Sequence, residues 1–379
     1  MVKKSFISVF LSLLLTFIPE VSVSAAEKEL VSAPAAVLME ASTGKILYEK
    51  NPHEKRPCAS ITKIMTLILV FEAVDGGKLK LSDTVTASEH AASMGGSDIW
   101  LEPGESMTAD DMIKAVVVAS ANDAAVALAE KLCGSEESFV GKMNQKAKAL
   151  GMNDTVFKNC NGLDEEGHIT SAFDVAVMSR ELIKHKKVFD YTSIWLDRLR
   201  NGETQIVNTN KLLKSYNGIT GLKTGTTDDA GCCISATAER EGMGLVAVVL
   251  GADTGKQRFA DAAALLDYGF ANYALKELSL PKSFPDRVKI NGGMADEVQI
   301  DCSVSGGIIM NKASMDEVQV NIDIPEELEA PVDKSQKIGF IKYKAGDGEL
   351  SFDVKTKEAV KKTGFGLIFA EVFDSLLSL

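Results

Sequence analysis

Residues 57–71 read PCASITKIMTLILVF, a serine and a lysine three apart inside an apolar run. The pattern predicts a helix over 60–74, stopped by Gly76-Gly77. It is apolar nearly all round, so the helix belongs in the centre of a fold. Ser60 and Lys63, at i and i+3, share one face. Ser60 stands at the helix start, where backbone N–H groups lack partners and the dipole is positive. Burial lowers the pKa of a lysine, and a neutral amine is able to take the proton of a serine hydroxyl. A bland reading competes: Ser60 as an N-cap and Lys63 snorkelling outward. Taken alone, the stretch favours the bland reading.

Two further stretches alter the balance. Ser120-Ala121-Asn122 interrupts two predicted helices at the end of the apolar run 115–119. At i and i+2 in an interhelix loop, Ser120 and Asn122 have the spacing to face one cleft. Ser120 would pass a proton, and Asn122 would hold a substrate amide and bond Lys63; the plainer alternative is a helix junction capped by Asn122. Lys223-Thr224-Gly225, followed by Thr226, ends a predicted strand. A lysine beside a threonine there suits a carboxylate, and Gly225 lets another backbone approach; its alternative is a strand-terminating turn.

Around these motifs, strands are expected at 35–40 and 45–48 and helices at 108–119, 123–132, 138–150 and 171–184. Short strands follow at 218–223, 232–238 and 245–250, then a helix at 258–274. Two strands, a helical middle, three strands and a helix close naturally as one antiparallel sheet made from both ends and covered by helices. The expected class is α+β, with a catalytic domain over 30–277. Near Pro281 the composition changes to short strands punctuated by prolines, a small all-β domain over 283–355. The tail 360–379 is an amphipathic helix with an acidic polar face. It is read as a peripheral anchor on the outer face of the cytoplasmic membrane, the competing reading being a helix packed on the protein itself.

The N-terminus has Lys3 and Lys4, an apolar stretch over 6–18 and the small-residue pattern Val23-Ser24-Ala25. This is a secretory signal peptide over 1–25, an uncleaved anchor being the other reading, and it implies export. A formal net charge of −12 argues against a nucleic-acid partner. The six cysteines include Cys232 and Cys233, which would point to opposite faces of a strand, and mostly free thiols are expected. Four scattered histidines and no Cys-x-x-Cys give no metal site, and no cofactor is called for.

S-x-x-K, S-x-N and K-T-G in this order resemble the penicillin-recognising serine acyltransferases. TGKILYEKN, ASITKIMT, SANDAAVALAE, GLKTGTT and the β domain narrow the resemblance to the low-molecular-mass penicillin-binding proteins, serine-type D-alanyl-D-alanine carboxypeptidases. The resemblance implies that Ser60 is acylated by the penultimate D-alanine of a peptidoglycan stem, or by a β-lactam, with Lys63 as base. It implies that Ser120 and Asn122 line the opposite wall, and that Lys223 and Thr224 bind the terminal carboxylate. The N–H groups of Ser60 and Thr226 would form the oxyanion hole. Arg258 either assists with the carboxylate or is a surface helix residue. His168 matches a family histidine, read chiefly as ordering its loop, and Asp174 reads as a capping-box acid. Cys58 departs from the small residue or proline expected there and reads as a buried, inert thiol. The stretch 88–106 resembles a loop bordering the site, with mobility from Gly95-Gly96.

A β-lactamase of class A would need a glutamate with an asparagine four residues on. Glu165 and Glu166 are followed at that spacing by Ile169 and Thr170. Such an enzyme also leaves the β domain unexplained. A penicillin sensor or wall-binding scaffold of the same fold is the rival of another class, and turnover separates it from an enzyme.

Overall fold

The computed structural model describes residues 29–313, 318–346, 348–364, 366, 369 and 377. The signal-peptide reading at 1–25 lies outside them, as does most of the tail.

A five-stranded antiparallel sheet organises the first domain. Its order is Ile46–Lys50, Ala35–Glu40, Met243–Ala252, Gly231–Arg240, Ile219–Thr227, so the N-terminal hairpin joins the strands that come two hundred residues later. Every residue of Ala35–Glu40 is buried, because helices lie on both faces. One face carries helix Gly255–Asn272, packed on Leu38, Ala236, Leu245 and Val249. The other carries the helical middle, with Val37, Val246 and Val248 against Ile64, Ile68, Val175 and Met178. Alternation along one strand separates the two cores: Cys233 lies in the second and Cys232 borders the first. All six cysteines are free thiols.

The predicted helices appear at Lys63–Asp75, Ala109–Lys114, Asn122–Cys133, Glu136–Ala149 and Ala172–Leu182. Thr108, Ser135 and Ser171 cap three of them by accepting a backbone N–H from the residue three on. Two differences touch the site. The segment expected to open the first helix is a 3-10 turn, Ala59–Thr62, and the α-helix begins only at Lys63. The helix expected to run to residue 119 changes at Lys114 into a π-helical stretch, Ala115–Ala119, which delivers Ser120 in the left-handed region at φ 62°.

The second domain holds a six-stranded sheet in the order Gln319–Asp323, Lys337–Ala345, Gly348–Thr356, Glu297–Asp301, Arg287–Asn291, Glu327–Glu329. Val298, Ile300, Ile341 and Val354 fill its core. Strand Tyr273–Glu277 leaves the last helix of the first domain and pairs with Gly307–Asn311.

The expected location at the outer face of the cytoplasmic membrane, with the C-terminal helix as anchor, does not stand. No described helix is long and apolar enough to cross a membrane. Of 364–379, only Gly364, Gly366, Phe369 and Leu377 are described, so the helix reading of the tail lies almost wholly outside the described residues.

Candidate active site

Lys63 is fully buried, and its Nζ donates to Ser60 Oγ at 2.9 Å, Asn122 Oδ1 at 2.5 Å and the Asn161 carbonyl at 2.6 Å. Burial lowers its pKa from 10.5 to about 7, with Cys160, Asp98 and Asp123 pulling the other way. Three acceptors suit the three N–H bonds of an ammonium. When a proton leaves, two N–H bonds still satisfy Asn122 Oδ1 and Asn161 O, and the lone pair falls toward the Ser60 hydroxyl. Near neutral pH both states are populated, so the amine is poised to exchange a proton with Ser60.

The 3-10 turn that carries Ser60 is pressed between two glycines. A Cβ on Gly162 would lie 2.0 Å from the Ala59 carbonyl oxygen and 2.9 Å from Ser60 N. A Cβ on Gly225 would lie 2.8 Å from Cys58 O and 2.9 Å from Ser60 N. Ala59 itself is held at φ 49°. Strain at Ala59 and Ser120 places both serines of the cleft on backbone that the surroundings must enforce.

Across the cleft, Lys223 Nζ donates to Ser120 Oγ at 2.8 Å and to the Thr224 carbonyl at 3.1 Å. Burial, then the charges of Lys63 and Arg258, hold its pKa well below the usual lysine value. Among the described residues it has no ion-pair partner. Two lysine–serine pairs therefore stand in one cleft, near enough for the Lys63 charge to act on Lys223. The missing counter-charge marks where a ligand's carboxylate would be most favourable.

Thr224 Oγ1 donates to Thr209 Oγ1 at 2.7 Å. Arg258 is not a free surface residue: its Nη1 donates to Gly225 O at 2.9 Å and Thr226 Oγ1 at 2.8 Å, backing the strand end. His168 Nε2 lies 2.8 Å from Thr62 Oγ1, and its Nδ1 accepts from Lys158 N at 3.3 Å. Burial lowers its pKa to about 4, so the neutral ring is an Nε2–H donor that ties its loop to the nucleophile turn. Asp174 does not reach the cleft. Its Oδ2 accepts from Asp154 N and Thr155 Oγ1, and burial raises its pKa. The helix cap there is made by Ser171 Oγ. Cys58 is buried beside Thr62 Oγ1, and burial pushes its thiol up to about 12, which leaves it unreactive.

The loop over 94–101 is held down on Asn122 and Asp123. Asn122 N donates to Ser97 O, Asn122 Nδ2 to Gly95 O, and Asp123 Oδ2 accepts from Ile99 N and Leu101 N. Gly96 allows close approach, since a Cβ would meet Asn122 Nδ2 at 2.9 Å. Asn161, Gly162, Thr209 and Asp123 were not legible as site residues. Asn161 acts through its backbone carbonyl, which its side-chain type does not signal.

A family model described as D-alanyl-D-alanine carboxypeptidase matches residues 22–254. The chain belongs to that family. The carboxypeptidase domain is followed by a match to the C-terminal domain of penicillin-binding protein 5 over residues 282–362. D-alanyl-D-alanine carboxypeptidase DacF of Bacillus subtilis (strain 168) is 45% identical over 339 residues, covering 88% of this chain and 87% of its own. Penicillin-binding protein 5 from Haemophilus influenzae has a TM-score of 0.76 at 29% identity, covering 88% of this carboxypeptidase and 98% of that chain. Penicillin-binding protein D2 from Listeria monocytogenes, seen in an ampicillin-bound form, has a TM-score of 0.58 at 36% identity, covering 63% of this chain and 98% of that one. The fold class and the family read from the motifs stand.

Proposed function

We propose that this chain is a serine D,D-carboxypeptidase that removes the terminal D-alanine from peptidoglycan pentapeptide stems. The observation that carries the reading is Lys63: a buried amine with a pKa of about 7, 2.9 Å from Ser60 Oγ. Lys63 takes the proton of Ser60 as its oxygen attacks the penultimate D-alanine carbonyl. The N–H groups of Ser60 and Thr226 receive the developing oxyanion. Asn122 holds the substrate amide. The C–N bond breaks as Ser120 relays to the leaving amine the proton that Lys63 took from Ser60, and water then releases the shortened stem and restores Ser60. Lys223 and Thr224 take the terminal carboxylate, with Gly225 leaving room for the chain. Arg258 backs that strand end, and His168 holds the loop behind Ser60. A β-lactam follows the same acylation path. We place the leader at 1–25, the catalytic domain at 30–277 and the β domain at 283–355.

The test is product analysis with a D-Ala-D-Ala pentapeptide. Free D-alanine is expected from the wild type and none from Ser60→Ala. Tight ligand binding with no release would leave a sensor or scaffold instead.

A second expectation concerns Lys223. Burial holds the Lys223 pKa well below the usual lysine value, and a carboxylate beside it favours the ammonium, so ligand binding should be accompanied by proton uptake. Calorimetry on Ser60→Ala with a carboxylate ligand, in buffers of different ionisation heat, should show that uptake. Lys223→Arg should abolish it, since arginine is already protonated. Equal uptake by both proteins would remove Lys223 as the group responsible.

A further inference from the structure

The second domain holds a cleft of about 620 Å³, lined by Lys334, Lys355, Lys357, Asp301, Asp353 and Phe352 among others. That volume falls within the range of small-ligand sites. On the rest of the sheet Lys342 pairs with Glu349 at 2.9 Å and Arg287 with Glu297 at 3.6 Å, while Lys289, opposite Glu297 and Glu327, forms no ion pair among the described residues. At the cleft edge Lys337 reaches Asp353 at 2.6 Å. Within the cleft, Lys355 stands directly across the ladder from Asp301, yet the two form no ion pair. Lys334 and Lys357 have no ion pair among the described residues either. Three ammonium groups without ion pairs among the described residues thus gather beside Asp301 in one concavity of a chain whose net charge is −12.

The backbone beneath them is fixed. Thr356 Oγ1 donates to Asp333 O and accepts from Gln336 N, and Ser335 N donates to Thr356 O. These bonds hold the turn that carries Lys334, with Ser335 in the left-handed region at φ 63°. Lys357 N donates to Gln299 O on the neighbouring strand. The cations are therefore presented from ordered backbone.

We propose that this cleft is a second, non-catalytic site for a peptide stem of the wall polymer, an inference that rests on the function proposed above. A stem is zwitterionic. Its carboxylates meet Lys334, Lys355 and Lys357, and the free side-chain amine of its diamino acid meets Asp301. Phe352 offers an apolar surface to its aliphatic parts. A polyol phosphate carries negative charge only, and the two aspartates of the lining oppose it. The site would hold a neighbouring stem while the first domain trims another.

The test uses the full chain acylated at Ser60 by penicillin, so that the catalytic cleft is filled. A tetrapeptide stem with a free diamino-acid amine is titrated into it. Binding should persist, and should weaken about tenfold in the triple variant Lys334→Gln, Lys355→Gln, Lys357→Gln. Acetylating the amine should also weaken it. The triple variant should release D-alanine from a short soluble D-Ala-D-Ala peptide at the wild-type rate. Loss of all binding on acylation, or unchanged affinity in the triple variant, overturns the proposal. Equal affinity for a glycerol-phosphate oligomer reduces the cleft to a general anion site and overturns it too. Failure of the wild type to release D-alanine would instead strike the function proposed for the first domain, and the binding result would still stand or fall separately.

Discussion

Lys63→Met is expected to abolish acylation by labelled penicillin, slowing it by roughly 10⁴-fold, and to remove a pH dependence from the stability of the fold. The sign follows from proton counting. In the unfolded chain Lys63 titrates near its ordinary 10.5, and in the folded protein at about 7. Between those values the unfolded chain holds a proton that the folded chain does not, so stability rises with pH across this window. The full difference is on the order of 5 kcal/mol, present as a penalty below pH 7 and gone by about pH 10.5. Methionine carries no proton and shows none of this rise. It also leaves Asn122 Oδ1 and Asn161 O without the donor they have in the wild type, at a cost of about 1–3 kcal/mol each. Net stability at pH 7 is therefore a poor measure. The difference between the two unfolding free energies, followed from pH 7 to 10, is the useful one. A constant difference would mean that Lys63 is not desolvated as described. Lys63→Arg should be equally unable to acylate, because arginine remains protonated. The wild-type acylation rate should itself climb as pH passes through about 7, and a rate flat from pH 6 to 8 would refute the role of base.

Much of this site was legible because its chemistry needs unusual residue types in unusual places. A lysine inside PCASITKIMTLILVF is hard to explain by packing, and SAN and KTG supply the rest of one arrangement. The sheet made from both chain ends followed from element order, and its five strands have that composition. What escaped has physical reasons. The small hairpins Thr84–Thr86 with Ser106–Thr108 and Leu196–Leu199 with Thr204–Val207 are three or four residues long, too short for periodicity to register. Strand Gly348–Thr356 does carry a period-2 signal, with Leu350, Phe352 and Val354 facing inward between exposed residues, but no continuous apolar run draws the eye to it. The turn at Ala59–Thr62 was read as the first turn of a helix because the apolar pattern does not distinguish 3-10 from α over four residues. The π-helical stretch Ala115–Ala119 is likewise an apolar run that fits any buried helix. Arg258 reads as an ordinary helix residue, and only the tertiary arrangement shows its guanidinium against Gly225 O.

Gly162→Ala is expected to cripple the protein although no side chain of the site is altered. The added Cβ would lie 2.0 Å from Ala59 O and 2.4 Å from Ala59 C. These are backbone atoms of the turn that presents Ser60, and no rotamer change relieves the contact. Retreat is blocked, because Gly225 closes on the other side of the same peptide with its own would-be Cβ 2.9 Å from Ser60 N. Gly162 also has φ 90°, a region that alanine enters only under strain. Strain and overpacking together should cost about 3–5 kcal/mol. Where the variant folds, a displacement of the Ser60 backbone near 1 Å should slow acylation roughly 10²-fold. Gly104→Ala separates the two contributions. Gly104 has a similar φ of 82° with nothing within 4 Å of its Cβ position. It should lose about 1 kcal/mol and acylate normally. Urea unfolding and penicillin labelling of both variants make the comparison. If Gly162→Ala lost no more stability than Gly104→Ala and acylated at the same rate, the close packing of the nucleophile turn between two glycines would carry no functional weight.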